Sequence, residues 1–136
     1  MGSAIRCDYV ESGSRFLLDS VILIDHFNGI QKATDYLKAV AGEACISAIT
    51  RAEVLTGFQD PNNLQKAREM LDRFDLIVID AAIADLAAEL RREHRWKLPD
   101  ALQAAAAKKN GLMLVTRNVR DFPPERYAFV QIPYEI

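Results

Sequence analysis

Four short stretches of the chain carry an acid where chemistry would need one: Leu17-Leu18-Asp19-Ser20, Thr50-Arg51-Ala52-Glu53, Leu98-Pro99-Asp100-Ala101 and Thr116-Arg117-Asn118-Val119-Arg120-Asp121-Phe122. If Asp19, Glu53, Asp100 and Asp121 meet in space, their carboxylates need a cation. Like charges about 4 Å apart repel by roughly 1 kcal/mol in water and by several times that in a partly dry cleft. The residues around these stretches offer no cationic cage large enough to neutralise all of them. Mg2+ or Mn2+ answers that need, because hard divalent cations take oxygen ligands. The chemistry implied is metal-assisted cleavage of a phosphodiester.

The elements around the acids bring them together. Phe16-Leu17-Leu18 reads as a buried strand, followed at once by a helix over 20–28 that Asn28-Gly29 ends, and by a second helix over Gln31–Val40. Ala44-Cys45-Ile46 reads as a second strand, and Ser47 as the N-cap of a helix over Ala48–Phe58 that holds Glu53. Asp60-Pro61 starts a helix running to about Phe74, with the cap before a first-position proline. Leu76–Ile79 is the third strand, and Asp80 caps a helix over 81–96. Pro99-Asp100 opens a helix through Lys109, Leu112–Val115 is the fourth strand, and Tyr127–Ile132 is the candidate fifth. Short apolar strands alternating with helices predict an α/β fold around a parallel sheet of four to five strands. In such sheets ligands collect outside the carboxyl ends of the strands. Asp19 and Thr116 directly follow strands there, and Ser47 leads into the helix carrying Glu53.

Bulk properties set the frame. The 136 residues, half of them apolar, suit one domain with a proper core. Residues 1–15 lack periodicity and are expected to be a flexible lead-in, with Met1-Gly2-Ser3 a tag remnant, leaving 16–136 as the domain. No apolar run reaches the ~20 residues of a membrane span and no secretory leader is visible, so a cytoplasmic location is expected. Cys7 and Cys45 show no metal-ligand spacing and read as reduced thiols, Cys45 in the core. Net charge is −2, which excludes a uniformly basic nucleic-acid binder. Its distribution says more: residues 1–90 hold 8 basic and 14 acidic side chains, whereas residues 91–126 hold 9 and 4. A basic half beside an acidic pocket suits a phosphate backbone near bound metal, although on charge alone a solvated helix face is the better explanation.

The four blocks resemble the PIN-domain nucleases, and within them the VapC-type toxins of toxin–antitoxin pairs. Leu17–Asp25 is similar to the opening strand with its catalytic Asp, Ile46–Gly57 to the block with its Glu, Leu98–Ala106 to the second Asp block, and Leu114–Phe122 to the closing block. They stand in the family's order and spacing over about residues 16–122. Two positions depart from the pattern: Val21 stands where the family commonly has Asn, and Asn118 where some relatives have Asp, so either Asn118 or Asp121 is the last site residue.

The resemblance implies a three-layer PIN-like fold and Mg2+- or Mn2+-dependent endoribonuclease activity, with Asp19, Asp100, Glu53 and Asn118 around the metal. Thr116 and Asp121 would complete the catalytic set, and Arg51, Arg117, Arg91, Arg92 and Arg95 would meet the RNA phosphates. It further implies a cognate antitoxin and a homodimer. The alternative is a degenerate PIN domain that binds RNA or protein without cutting, which Val21 leaves open. A phosphoryl-accepting receiver domain is disfavoured, because no lysine lies beyond Lys109. Taken singly, Asp19 is an N-cap, Asp100 a first-turn acid, Glu53 a solvated helix residue and Asp25 a surface or supporting acid. His26 and His94 lack zinc spacing, and Trp96 and Tyr127 read as packing residues before base-stacking ones.

Overall fold

The computed structural model describes residues 13–136. Most of the expected lead-in, Cys7 included, lies outside the described residues. Its last part is docked: Arg15 and Phe16 both donate a backbone N–H to the Glu43 carbonyl, and the Ser14 hydroxyl donates to Asp75 at 3.2 Å.

Five strands alternate with six helices: β1 (Phe16–Leu18), α1 (Ser20–Phe27), α2 (Gln31–Ala39), β2 (Ala44–Ser47), α3 (Ala48–Thr56), α4 (Pro61–Leu71), β3 (Asp75–Ile77), α5 (Ala81–His94), α6 (Leu98–Lys109), β4 (Met113–Val115) and β5 (Val130–Gln131). The strands form one all-parallel sheet in the order β3-β2-β1-β4-β5. The chain therefore winds outward from β1 to β3, then returns to lay β4 on the other side of β1. Helices cover both faces, as buried parallel strands require. Alternate strand residues divide between two cores: Leu17, Cys45 and Leu114 pack with α5 and α6, whereas Leu18, Ile46 and Val115 pack with helices α1 to α4. Ala104 to Ala107 are all fully buried, and these small side chains let α6 lie close to both the sheet and α5. Among the described residues no helix is long and apolar enough to cross a membrane.

The caps follow the sequence. Asp19, Ser47, Asp60 and Asp80 each accept a backbone N–H at the start of their helix. Boundaries differ from expectation where a partner runs out. The β-branched run Leu76–Ile79 contributes only as far as Ile77, because β2 ends at Ser47, which pairs with Ile77 and then caps α3. Val78 is left without a strand beside it and is 46% exposed. Tyr127–Ile132 shrinks to Val130–Gln131, since Arg126 and Tyr127 donate back to Pro123 and Val130 donates back to Tyr127 in turns. α5 stops at His94, and Arg95 closes it in the left-handed region (φ 61°), a position usually given to glycine.

Candidate active site

The strand order reverses between β1 and β4, and the carboxyl ends of these two strands open onto a crevice. Asp19 leaves β1 there. Its N–H bonds the Val115 carbonyl at 2.9 Å, which pins the residue against the end of β4. The Thr116 hydroxyl donates to Asp19 Oδ2 at 2.6 Å, while the Ser20 N–H donates to Oδ1 at 2.8 Å. An ionised carboxylate can only accept, so the Thr116 hydroxyl donates here while its oxygen accepts the Asn118 N–H at 3.0 Å. The cap role and the site role of Asp19 are thus one arrangement: the helix it starts supplies a donor to its carboxylate.

Asp100 sits half-buried in the first turn of α6, and its carboxyl is pushed up to about 6. Burial is the largest cause, followed by the charges of Asp19, Asp121 and Glu53, with Lys97 opposing more weakly than any of these acids. The other three expected acids therefore all act on Asp100. Burial also raises Asp19, outweighing its bonds from Thr116, Ser20 and Gln103. Glu53 projects from α3 as an exposed side chain. Asp121 lies in the loop after β4, where Asn118 Nδ2 donates to its Oδ2 at 3.0 Å and its own N–H returns to Asn118 Oδ1 at 3.2 Å. Asn118 and Asp121 are thus a bonded pair at the rim.

The donor set fits a hard divalent cation: every group is an anionic oxygen, and the one cation acting on Asp100 is the weakest influence there. Among the described residues, no three His, Cys, Asp or Glu side chains form a ready-made chelate. Charge acts over a longer distance than ligation, so the acids act on Asp100 without standing together at ligand distance.

The arginines divide. Arg117 turns onto Asp25, with Nε to Oδ2 at 2.6 Å and Nη2 to Oδ1 at 3.0 Å, and Tyr134 donates its hydroxyl to the same Oδ2 at 2.8 Å. Asp25 is buried, not a surface acid, and its charge is what commits Arg117. Arg51 pairs with Asp72 at 2.8 Å. Arg91, Arg92 and Arg95 are exposed at the end of α5 and line an open hollow with Trp96 and Leu98, two residues before Asp100. Trp96 is buried, stacks on His94 at 4.2 Å and donates Nε1–H to the Asp121 carbonyl at 3.0 Å, so it packs and also braces the acidic loop.

Sequence reasoning missed Thr50 and Gln103. Gln103 Nε2 donates to Thr50 Oγ1 at 2.6 Å and approaches Asp19 Oδ1 at 3.5 Å, and its Oε1 accepts the Ser47 hydroxyl at 2.7 Å. The signal was present: an uncharged but strongly polar residue in an alanine-rich helix, one turn after Asp100, is a polar group in a face that must be buried.

Comparison with known proteins agrees with this geometry. The family model described as PIN domain matches residues 16–128. The chain is similar to the tRNA(fMet)-specific endonuclease VapC of Shigella flexneri, with 31% identity over 118 residues covering 79% of this chain and 89% of that protein. It is also similar to Ribonuclease VapC10 of Mycobacterium tuberculosis, with 32% identity covering 79% of this chain and 85% of that one. Among solved structures, a toxin–antitoxin complex from Klebsiella pneumoniae superposes with a TM-score of 0.82 at 40% identity, over 88% of this chain and 98% of its own. The DNA-bound VapBC of Salmonella typhimurium, at 23% identity and a TM-score of 0.70 over 81% of this chain and 91% of its own, shares the fold.

Proposed function

The chain belongs to the PIN-domain family, and from that premise we propose that it is a divalent-metal-dependent endoribonuclease, the toxin of a toxin–antitoxin pair. The observation that carries this reading is the Asp100 carboxyl, pushed up to about 6 by burial and by three further acids. A crevice so charged is suited to Mg2+ or Mn2+ beside a phosphate. Asp19 and Asp100 would hold the ion, with Glu53 and the Asn118–Asp121 pair at its margin. A divalent ion bound there supplies charge neutralisation on the scissile phosphate and a more acidic water.

The protein's own side chains prepare that step. Thr116 and Ser20 orient the Asp19 carboxylate, leaving it lone pairs for an ion. The exposed Arg91, Arg92 and Arg95 attract an RNA backbone and lead it toward Asp100. An apolar hollow lined by Ile24, Phe27, Val54 and Phe58, next to the helix that carries Glu53, gives an antitoxin a place to dock while it covers the acids. A homodimer is part of the same proposal.

The test is incubation of the purified protein, free of antitoxin, with total RNA in Mg2+ or Mn2+. Discrete fragments that vanish with EDTA and in Asp100→Asn establish the activity. RNA left intact by a protein that binds Mn2+ points to an RNA- or protein-binding PIN domain, the reading that Val21 leaves open.

A further inference from the structure

Gln103 touches all three elements that carry the lead acids. It lies on α6 one turn after Asp100, is 2% exposed, and bonds to Ser47 and Thr50, both fully buried at the start of α3. Thr50 stands three residues before Glu53, and its hydroxyl donates onward to the Leu18 carbonyl at 3.0 Å, the peptide that leads into Asp19. The donors and acceptors form one directed chain. The Thr50 N–H donates to Ser47 Oγ at 3.2 Å, Ser47 donates to Gln103 Oε1, Gln103 Nε2 donates to Thr50 Oγ1, and Thr50 donates to Leu18. This order fixes which end of the amide is oxygen, since the other orientation would set Gln103 Oε1 against Thr50 Oγ1, whose proton is already given to Leu18.

Such a network is a poor choice for stability alone. Apolar groups of the same shape would fill the space without burying polar atoms that must all be satisfied. We propose that Gln103 is a positioning residue: its amide sets the spacing of Asp19, Glu53 and Asp100 by tying β1, the start of α3 and the first turns of α6 to one point. The inference rests on the metal-site reading above. Gln103 reaches Asp19 itself only at 3.5 Å, so it acts mainly through the backbone that carries the acid.

The experiment is Mn2+ titration of the full chain by electron paramagnetic resonance, with a thermal melt of each variant. Gln103→Leu is expected to weaken Mn2+ binding by about 10- to 100-fold, the effect typical of residues that orient metal ligands. Thr50→Val cuts the same chain at its next link and is expected to weaken binding similarly. The double variant should lose little more than either single, because both break one network. Ile83→Ala, which destabilises the core on α5 away from the acids, is expected to lower the melting temperature while keeping Mn2+ affinity. Should Gln103→Leu not fold, Gln103→Met, of matching length, carries the same comparison. Wild-type affinity in the Gln103 variant, or losses that simply add, overturns the proposal while leaving the metal site standing. Failure of the wild-type protein to bind Mn2+ overturns both.

Discussion

Arg117 holds Asp25 with two parallel bonds, at 2.6 and 3.0 Å, one residue beyond the Thr116 that orients Asp19. A charged pair with its carboxylate buried thus anchors the residue that leads into the loop of Asn118 and Asp121. The Arg117 guanidinium spends its directional donors inward.

Removing Arg117 would leave Asp25 buried and uncompensated at about 3–5 kcal/mol, whereas removing the Asp25 charge strands a partly exposed arginine and costs about 1–3 kcal/mol. Asp25→Asn is expected to lower the melting temperature by about 3–15 °C, at roughly 3–5 °C per kcal/mol for a domain of this size. KM for RNA should hold for the fraction that stays folded. A raised KM at unchanged melting temperature in Arg117→Gln would instead assign that arginine to the phosphate.

Asp100→Asn tests the acids from the other side. It removes a carboxyl whose charged form the fold disfavours, so the metal-free variant should melt a few degrees higher than the wild type. RNA cleavage should fall by about 10^3-fold, equivalent to several kcal/mol of lost charge stabilisation. A variant that is less stable in the absence of metal would contradict the repulsion inferred from the four acids.

The pH dependence follows from the same group. Asp100 has a folded-state value of about 6, above the unfolded 3.8. Between roughly these two values the folded state binds more protons, so stability is lost as pH rises through the window. Asp19 is raised as well and acts in the same direction. His26, lowered by burial, acts the opposite way over this range, so the comparison is with Asp100→Asn: without divalent ions, the wild-type melting temperature should rise from pH 7 to pH 5 relative to that variant. Saturating Mn2+ should flatten or invert the trend, because the ion binds the deprotonated acids. Melts in EDTA and in Mn2+ across that range decide it.

Thr116→Val deletes the hydroxyl that holds Asp19 Oδ2 and leaves the Asn118 N–H without its acceptor. A loss of about 1–3 kcal/mol in stability is expected, together with cleavage reduced by roughly 10^2-fold. Thr116→Ser keeps the donor and should retain most activity. Equal losses in both variants, measured by RNA gel, would mean that the methyl group matters and the hydrogen bond does not.

Replacing Arg91, Arg92 and Arg95 together by Gln should weaken RNA binding uniformly across sequences and flatten its salt dependence. For a single strand, log K falls with log salt by about 0.7 per phosphate contact. An unchanged slope in filter binding would return these arginines to the role of a solvated helix end.

Much of this was legible in the sequence because strand ends and caps are local signals. Asp19, Ser47, Asp60 and Asp80 each announce a helix start in their immediate neighbours, and the apolar runs before them announce the strands. What could not be read is what depends on a distant partner. Val78 and Ile79 look as strand-like as Leu76, but β2 ends before they can pair. Arg117 looks like a phosphate ligand until Asp25, 92 positions earlier, is folded beneath it. Gln103 sits in a run of alanines that reads as plain helix, and only the meeting of α6 with Ser47 and Thr50 gives it a purpose.

Asp19 and the hydroxyl that orients it are separated by 97 positions along the chain. At about 5–20 residues per second, a ribosome takes roughly 5–20 s to travel from one to the other. Throughout that interval β1 can pair with β2 alone, and its other edge is open where β4 will later lie. An unfinished chain holds Asp19 and Glu53 but neither Asp100 in its final place nor Thr116. The crevice is therefore among the last features to form during synthesis, because β4 must lie beside β1 before Thr116 can reach Asp19.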